Sequence, residues 1–420
     1  MSTLDAQIKP ALDSRRDRGV LRRLPSSTAL RDVITRVDFS SNDYLSLATS
    51  PSLKAKFIEK IQGSSRVLGS GGSRLLDGGT LEHAELEERL ANFFESPAAL
   101  LYTSGYDANV GFFGSIPAEG DLVVYDELIH ASVHDGMRTS RAARIPGSLL
   151  PFKHNDGDAL RSVIDSAVRA RPSLAKGIGS VFVAIESLYS MDGDIAPVKD
   201  ICDIVEERLP AGNGHIVVDE AHATGIYGPQ GRGVIAYLGL ESRITARLHT
   251  FGKALASSGA VFLTSPTVRE YLINYSRPQV FTTAISFGTI VSIHAVFDML
   301  ESGEYLPYSE RLQSLARYFL QRFAAHRFAP ELVRLPWSKT TLATPIVPLL
   351  SPYAKPMALY LRERGFLVRP ITHPTVPKGR DRVRVCLHAS NTEDQIDALL
   401  KSIQCWIDSG EDRRVVVSKL

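Results

Sequence analysis

The sequence predicts an α/β fold with one large, mainly parallel sheet and a smaller α/β domain towards the C-terminus. Two observations lead to this fold class. Short β-rich runs alternate with helical stretches between residues 98 and 264, an order typical of parallel sheets with helical crossovers. Two more strand-like runs and a final helix follow between residues 345 and 409, which indicates a second, smaller unit.

The strands of the large sheet are predicted from runs that are apolar almost without interruption. Such runs are expected where helices cover both faces of a sheet. The six runs lie at residues 98–103, 121–126, 180–186, 215–220, 247–251 and 259–264. A helical region at about 286–326 follows the last of them.

The smaller domain is predicted from the runs PIVPLL (345–350) and RVRVCL (382–387) and from the final helix. The helix carries apolar side chains at helical spacing, which places them on one stripe. The stripe consists of Ile396, Leu399, Leu400, Ile403, Trp406 and Ile407. We therefore expect a C-terminal domain that packs against the large sheet domain.

Four segments are expected along the chain. Residues 1–62 form a charged lead-in, 63–295 the large cofactor-binding domain, 296–409 the small domain and 410–420 a loose tail. Within the large domain, residues 64–80 are unusually rich in glycine. A stretch so dense in glycine between two helical patterns is expected to be a functional or closely packed loop.

Composition and charge exclude several classes of function. The 48 basic and 46 acidic side chains leave a net charge of +2, which gives no electrostatic support for binding nucleic acid or a membrane surface. No apolar run approaches the roughly 20 residues of a membrane helix, and the N-terminus lacks the apolar core of a secretory signal. The three cysteines show no CxxC spacing, so no metal site is expected. A soluble, intracellular protein is predicted.

Polar residues at the carboxyl ends of the predicted strands are the first candidates for chemistry, because ligands of open parallel sheets bind there. Asp219 ends one apolar run, His222 follows three residues later, and Lys253 follows the run at 247–251. Taken singly, Asp219 is more simply explained as a helix cap and Lys253 as a solvated side chain.

Taken together, these residues describe one site. A lysine that forms a Schiff base needs a lowered pKa and a fixed position. A pyridine cofactor needs a carboxylate such as Asp219 to keep its ring nitrogen protonated. A phosphate group needs free backbone N–H groups at a helix N-terminus, which Ser104, Gly105 and Tyr106 supply after the run at 98–103.

Six motifs, in this order along the chain, resemble the α-oxoamine synthase family. They are NDYLSL (42–47), GSGGSRLLDGGT (69–80), ESLYSMDGD (186–194), VVDEAHATG (217–225), GPQGRG (228–233) and HTFGKAL (249–255). Because there are six of them in a fixed order, they are far more specific than any single glycine pattern, and the resemblance covers nearly the whole chain. The resemblance implies a pyridoxal 5′-phosphate (PLP) enzyme of the aspartate aminotransferase type (fold type I), working as a homodimer with active sites at the interface.

The resemblance assigns catalytic roles to four residues. It makes Lys253 the Schiff-base lysine and Asp219 the partner of the pyridine nitrogen. His130 matches the histidine that stacks on the cofactor ring, although a hydrogen-bonded histidine at a strand end is also consistent with its spacing. His222 is the fourth, and it is expected to contact the ring oxygen together with the cofactor-binding Ser190.

The phosphate of the cofactor has its own expected partners. Thr250 and the backbone of Gly105 and Tyr106 are expected to hold it, and Thr282 and Thr283 are expected to reach it from the partner subunit.

Substrate contacts follow from the same resemblance. Arg384 matches the arginine that binds the amino acid's carboxylate, a group that a guanidinium recognises through paired hydrogen bonds. Arg22 matches an N-terminal arginine of the biotin-pathway members, and Asn42 and Ser73 match residues near the substrate. A surface charge is the alternative for both arginines, particularly for Arg22, which lies among other basic residues.

The sequence departs from the biotin-pathway pattern at Thr372, where bacterial members often carry arginine. Arg369 lies three residues earlier and is expected to substitute for it. This departure concerns the acyl chain and leaves the class of reaction unaffected.

The function implied is the decarboxylative condensation of an amino acid with an acyl-CoA, and the pattern is nearest to the branch that joins alanine to pimeloyl-CoA. Within the family, glycine with succinyl-CoA or acetyl-CoA, serine with palmitoyl-CoA and a polyketide-linked acyl chain stay open. A non-catalytic subunit of the same fold is the alternative from another class. The joint presence of Lys253, Asp219 and His130 argues against it.

The last three residues, Ser418, Lys419 and Leu420, spell SKL, the C-terminal address of peroxisomal proteins. The preceding residues follow the final helix and are expected to be free for an import receptor. A frayed end that matches by chance is the alternative. We therefore expect a peroxisomal enzyme. Long acyl-CoA chains are shortened in that compartment, so a dicarboxylic acyl-CoA such as pimeloyl-CoA could arise beside the enzyme, which favours the pimeloyl-CoA branch over the glycine and succinyl-CoA branch.

Overall fold

The computed structural model describes residues 2–24, 26, 27, 35–66, 68–337 and 342–410. The strands are, in chain order, β1 (Val37–Asp38), β2 (Ala98–Tyr102), β3 (Leu122–Asp126), β4 (Leu149–Phe152), β5 (Val181–Glu186), β6 (Gly214–Asp219), β7 (Ala246–Thr250), β8 (Ala260–Thr264), β9 (Ile346–Leu350), β10 (Phe366–Leu367), β11 (Arg369–Ile371) and β12 (Arg382–Cys386). The α-helices span Thr3–Asp17, Pro51–Gln62, Leu81–Phe93, Gly105–Ser115, Ala131–Thr139, Gly157–Ala170, Pro172–Ala175, Val198–Arg208, Val234–Leu238, Pro266–Tyr275, Arg277–Val280, Phe287–Ser302, Leu306–His326, Ala354–Glu363 and Glu393–Ser409.

Seven strands form the large sheet in the order β2-β8-β7-β6-β5-β3-β4. Only β8 runs antiparallel to its neighbours, so the prediction of a mainly parallel sheet is confirmed. The register aligns Glu186 with Asp219, and Asp219 with Leu248. The carboxyl ends of β5, β6 and β7 therefore meet at one edge of the sheet.

The smaller sheet has the antiparallel order β11-β12-β9, and β1 pairs with β10 in parallel. The apolar stripe of the final helix is buried as predicted, with Ile407 half-buried at its end. One hydrophobic cluster joins this helix to the strands β2 and β8 and to the helix Phe287–Ser302. The small domain thus packs on the large sheet domain. The domain boundary that was expected at residue 296 falls inside the helix Phe287–Ser302 and stays a prediction.

Among the residues that the structure describes, no helix is long and apolar enough to cross a membrane. The same part of the chain holds no group of three or more histidine, cysteine or acidic side chains that could bind a metal ion. The SKL tripeptide lies outside the described residues.

Candidate active site

A cavity of about 460 Å³ opens at the carboxyl ends of β5, β6 and β7. This is the size range of small-molecule sites. Most of the residues predicted from the sequence line it: Asn42, Ser104, Gly105, Tyr106, His130, Ser190, Asp219, His222, Thr250, Lys253 and Arg384. The topology therefore brings together residues that lie up to 342 positions apart, such as Asn42 and Arg384.

Lys253 stands three residues after the end of β7 and points its amine into the cavity. Its Nζ donates to Oγ1 of Thr250 over 3.3 Å. Burial lowers the pKa of Lys253, against the attraction of the Asp219 and Glu186 carboxylates. With a lowered pKa, more of the lysine is in the neutral amine form, which is the form that acts as nucleophile and base.

Asp219 is buried at the end of β6 and is fixed by two donors. Nδ2 of Asn109 donates to Oδ2 over 2.8 Å, and the backbone N–H of Ala221 donates to Oδ1 over 2.9 Å. The residues that follow form turns, so Asp219 caps no helix. The carboxylate is therefore held in one orientation at the cavity wall.

His130 begins the helix Ala131–Thr139 and lines the same cavity. Its Nδ1 lies 2.7 Å from Oγ of Ser132, which also accepts from Nδ2 of Asn109 over 3.0 Å. Removal from water lowers the pKa of His130, against the attraction of Asp219. Ser132 and Asn109 thus connect a neutral imidazole to the Asp219 carboxylate. Stacking of His130 on a cofactor ring stays a prediction.

The N-terminus of the helix Gly105–Ser115 forms another wall of the cavity. Ser104 caps it, since its Oγ accepts from the backbone N–H of Asp107 over 3.1 Å. A Cβ on Gly105 would lie 2.5 Å from Cγ2 of Thr250, so only glycine lets the helix approach β7 this closely. A helix N-terminus beside a threonine hydroxyl is a ready binding site for phosphate.

The buried His222, Tyr44 and Arg384 form a hydrogen-bonded chain with the half-buried Asn42. Nδ1 of His222 lies 2.7 Å from the Tyr44 hydroxyl, and Nη2 of Arg384 donates to Oδ1 of Asn42 over 3.0 Å and to the Tyr44 hydroxyl over 3.3 Å. Nε of Arg384 donates to the Ser190 carbonyl over 2.7 Å. Burial holds the pKa of His222 well below its ordinary value. A neutral imidazole therefore sits beside a firmly placed guanidinium.

Sequence analysis missed Asn109, Ser132, Tyr44 and Glu186. Tyr44 lies inside the motif NDYLSL, and Asn109 follows the predicted phosphate-binding residue Tyr106 by three positions. Their partners, Asp219 and His222, are 110 and 178 residues away, so no local pattern indicates the contact. Glu186 ends β5 beside Asp219, and burial together with that like charge raises its pKa well above the ordinary value.

A second cavity of about 600 Å³ adjoins the first and shares His130, Ser190 and Met191 with it. Its rim carries basic side chains, including the exposed Arg22 and Lys378. Arg22 thus lies outside the cavity of Lys253 but next to it.

Four predicted residues do not line either cavity: Ser73, Thr282, Thr283 and Arg369. Arg369 is exposed on β11. The other three lie where the glycine-rich stretch packs against the segment before the helix Phe287–Ser302, since the backbone N–H of Ala284 donates to the Gly72 carbonyl over 2.9 Å.

We call residues 68–81 and 281–287 the glycine surface. Five large apolar side chains on it are exposed, four of them by 70% or more: Leu68, Leu75, Leu76, Leu81 and Phe281. An apolar surface of this kind marks an interaction site.

The model of the family "Aminotransferase class I and II" matches residues 34–403 of the chain. The 8-amino-7-oxononanoate synthase of Emericella nidulans is 46% identical over 419 residues, which cover 97% of each chain. The aminoacyl transferase sphA of Aspergillus fumigatus is 37% identical over 415 residues, covering 96% of this chain and 87% of that protein.

The fold has a close counterpart among solved structures. A serine palmitoyltransferase of S. paucimobilis, solved with a bound PLP–myriocin adduct, superposes with a TM-score of 0.79 at 24% identity. The match covers 99% of this chain and 100% of that one. The fold type I architecture is thereby confirmed.

Proposed function

Because the chain belongs to the class I and II aminotransferase family, and within it to the α-oxoamine synthases, we propose that it is a PLP-dependent acyltransferase. In this proposal it condenses L-alanine with pimeloyl-CoA and releases 8-amino-7-oxononanoate, coenzyme A and CO₂. The observation that carries the reaction class is one cavity that holds the Lys253 amine, the Asp219 carboxylate and a helix N-terminus. The 46% identity to the Emericella enzyme supports the choice of substrates.

The cavity fits PLP group by group. The helix N-terminus at Gly105 and the hydroxyl of Thr250 suit its phosphate, Asp219 suits the pyridine nitrogen, and the Lys253 amine suits the aldehyde. When bound, PLP supplies an aldehyde for amines and a ring that accepts the electron pair of the amino acid's α-carbon.

Three residues of the chain then have separate roles in the reaction. Lys253, with its lowered pKa, accepts the proton of the α-carbon and later returns one. Asp219 keeps the proton on the pyridine nitrogen, which makes the ring an effective electron acceptor. Arg384 binds the substrate carboxylate, because its guanidinium is fixed by Asn42 and Ser190 at the cavity wall.

The second cavity is the proposed site of the acyl-CoA. Ser190 and Met191 separate it from the Lys253 cavity, so a thioester there would lie beside the reacting carbon. The basic rim with Arg22 and Lys378 suits the phosphates of coenzyme A or a carboxylate at the end of the acyl chain. Arg369, exposed on β11, stays a proposed contact for that carboxylate.

A different amino acid or acyl thioester is the second candidate. It is favoured by the 37% identity to an aminoacyl transferase. Both candidates share the Lys253 cavity, so only the substrates distinguish them.

The protein is further proposed to be a homodimer joined through the glycine surface. Burying a large apolar side chain is worth about 1.5–3 kcal/mol, and five such side chains are exposed there. Thr282, Thr283 and Ser73 line neither the Lys253 cavity nor the second cavity of their own chain. In the dimer they would be able to reach the site of the partner subunit.

A peroxisomal location is proposed from the terminal SKL, read by the import receptor. The test is a fluorescent protein fused ahead of the full chain. The fusion should co-localise with a peroxisomal marker, and deletion of Leu420 should disperse it. A fusion that stays peroxisomal after that deletion contradicts the proposal.

The function is tested by coenzyme A release over a panel of thioesters. Pimeloyl-, succinyl-, acetyl- and palmitoyl-CoA are each paired with alanine, glycine and serine, with the Lys253→Ala protein as the blank. Alanine with pimeloyl-CoA should give the highest kcat/KM. A different best pair would favour the second candidate, and no release with any pair would reject the acyltransferase.

A further inference from the structure

A hairpin at residues 187–196, here called the wall hairpin, separates the two cavities. Ser190 and Met191 at its tip line both of them. Its two arms are joined by the backbone N–H of Ala196, which donates to the Ser187 carbonyl over 3.1 Å, and by that of Tyr189, which donates to the Asp194 carbonyl over 3.0 Å. The position of this hairpin therefore sets the distance between whatever occupies each cavity.

One side of the wall hairpin is held by the C-terminal part of the chain. Four consecutive carbonyl oxygens accept hydrogen bonds from side chains: Ser190 from Nε of Arg384 (2.7 Å), Met191 from Nη1 of Arg382 (2.8 Å), Asp192 from Nε1 of Trp337 (2.8 Å) and Gly193 from Oγ1 of Thr344 (2.6 Å). The buried Arg382 also pairs with the Asp192 carboxylate over 2.8 Å. This side of the hairpin is thus bonded residue by residue.

The other side is held by His154. Its Nδ1 lies 2.9 Å from Oδ1 of Asp126, which ends β3, and its Nε2 lies 2.9 Å from Oδ2 of Asp194 in the hairpin. The ring of Tyr189 meets the imidazole edge-on, with centroids 4.5 Å apart. One imidazole thereby bridges the large sheet and the hairpin.

Electrostatics favours the protonated form of this imidazole. Burial opposes the charge, but the hydrogen bonds to Asp126 and Asp194 prevail and raise the pKa of His154 to about 10. Both nitrogens then donate, one to each carboxylate, and charge-assisted bonds of this kind are stronger than neutral ones.

We propose that His154 is a positioning residue: by bridging Asp126 and Asp194, it fixes the tip of the wall hairpin between the cofactor cavity and the acyl-donor cavity. It touches neither cavity itself and acts through Ser190 and Met191. The inference rests on the proposed function for the identity of the two ligands. The placement of the hairpin is independent of which acyl-CoA is used.

The test is His154→Gln in a Trp406→Phe background, where Trp337 is the only remaining tryptophan. Trp337 donates to the hairpin, so its emission reports on the hairpin directly. We expect its emission to move to longer wavelength, the Kd for PLP to rise about tenfold and kcat to fall about tenfold, the effect of one lost hydrogen bond of about 1.4 kcal/mol. The matched control is His215→Gln, at the opposite end of β6 from the site. This control should leave the Trp337 emission, the Kd for PLP and kcat at the parent values.

A lower melting temperature with unchanged emission and PLP affinity would overturn the proposal, because it would mean that His154 only stabilises the fold. Changed emission and PLP affinity without activity on any thioester would instead remove the proposed function and keep the positioning role. If His154→Gln does not fold, Asp194→Asn serves in its place, and it must reproduce the emission and affinity changes.

The pH dependence adds a readout with a definite sign. Because the pKa of His154 is raised, its contribution to stability is fully present below its ordinary pKa of 6.5 and is lost as the pH rises towards about 10. The groups that face it are the Asp126 and Asp194 carboxylates and the Tyr189 ring. Burial raises the pKa of Tyr189 well above its ordinary value, so its hydroxyl stays neutral over this window. The difference in melting temperature between the parent and His154→Gln should therefore shrink from pH 6.5 to 10. A constant difference would contradict a protonated bridge.

Discussion

The cavity around Lys253 and the glycine surface are built in opposite ways. In the cavity, buried polar groups face one another and hold one another in place, as Asn109 holds Asp219 and Tyr44 holds His222. On the glycine surface, large apolar side chains such as Leu76 and Phe281 face solvent, 76% and 71% exposed. Buried polar groups in a folded site are normally hydrogen-bonded. A large exposed apolar surface instead marks a place where another molecule binds.

The two regions differ in which predicted residues they hold. The predicted residues that line the cavity come from elements of a single chain. Ser73, Thr282 and Thr283 instead lie on or beside the apolar surface, away from both cavities. The active site is therefore expected to be complete only when two chains meet.

The largest effect is expected at Lys253, the group on which the chemistry of the cavity depends. Lys253→Ala should abolish covalent attachment of PLP and lower kcat by at least about 10²–10⁴-fold, the loss expected for a general base. Borohydride reduction followed by peptide mapping checks this, since the wild type should carry the reduced cofactor on Lys253. Lys153→Ala, at a surface lysine, is the control and should leave labelling intact. Label on another lysine would contradict the assignment.

The second largest effect on kcat is expected at Asp219. Asp219→Asn keeps the side chain's shape but cannot hold a proton on the pyridine nitrogen, so kcat should fall by about 10²–10³-fold. The melting temperature should change little, as in the control Asp158→Asn at an exposed helix start. Steady-state kinetics and thermal melting check the two parts. Near-normal turnover would show that the carboxylate is merely structural.

A feature of this molecule could be predicted from the sequence where the residues that indicate it are close together along the chain. The strands β5, β6 and β7 and the polar residues after them were predictable, because apolar runs and their ends are local patterns. The strand β4 was missed because it is short, only partly buried and contains Pro151. The contact of Asn109 with Asp219 and the bridge made by His154 were missed because the partners are brought together only by the fold.

The glycine surface offers the next test of the comparison. Leu76→Glu places a charge in the proposed interface and should weaken dimerisation by about 10²–10⁴-fold in Kd, because two apolar side chains of about 1.5–3 kcal/mol each are lost per dimer. Sedimentation velocity over a dilution series measures this shift. Leu359→Glu changes an equally apolar residue, 58% exposed on the helix Ala354–Glu363, and should sediment as the wild type does. Equal behaviour of the two variants would place the interface elsewhere.

The smallest effect is expected at Asn109, and it tests whether the cavity depends on its supporting contacts. Its amide donates to both Asp219 and Ser132, so Asn109→Ala leaves the buried carboxylate with one donor fewer while Lys253 and His130 remain. An unsatisfied buried acceptor costs about 1–3 kcal/mol, which corresponds to a loss of about 10- to 100-fold in kcat if the cost falls on the transition state. Asn274→Ala is the matched control, since its amide donates to the Glu270 carbonyl of its own helix. A loss confined to the melting temperature would mean that Asn109 supports the fold alone, whereas a loss in kcat at unchanged KM for the amino acid would show that it orients Asp219 for the reaction.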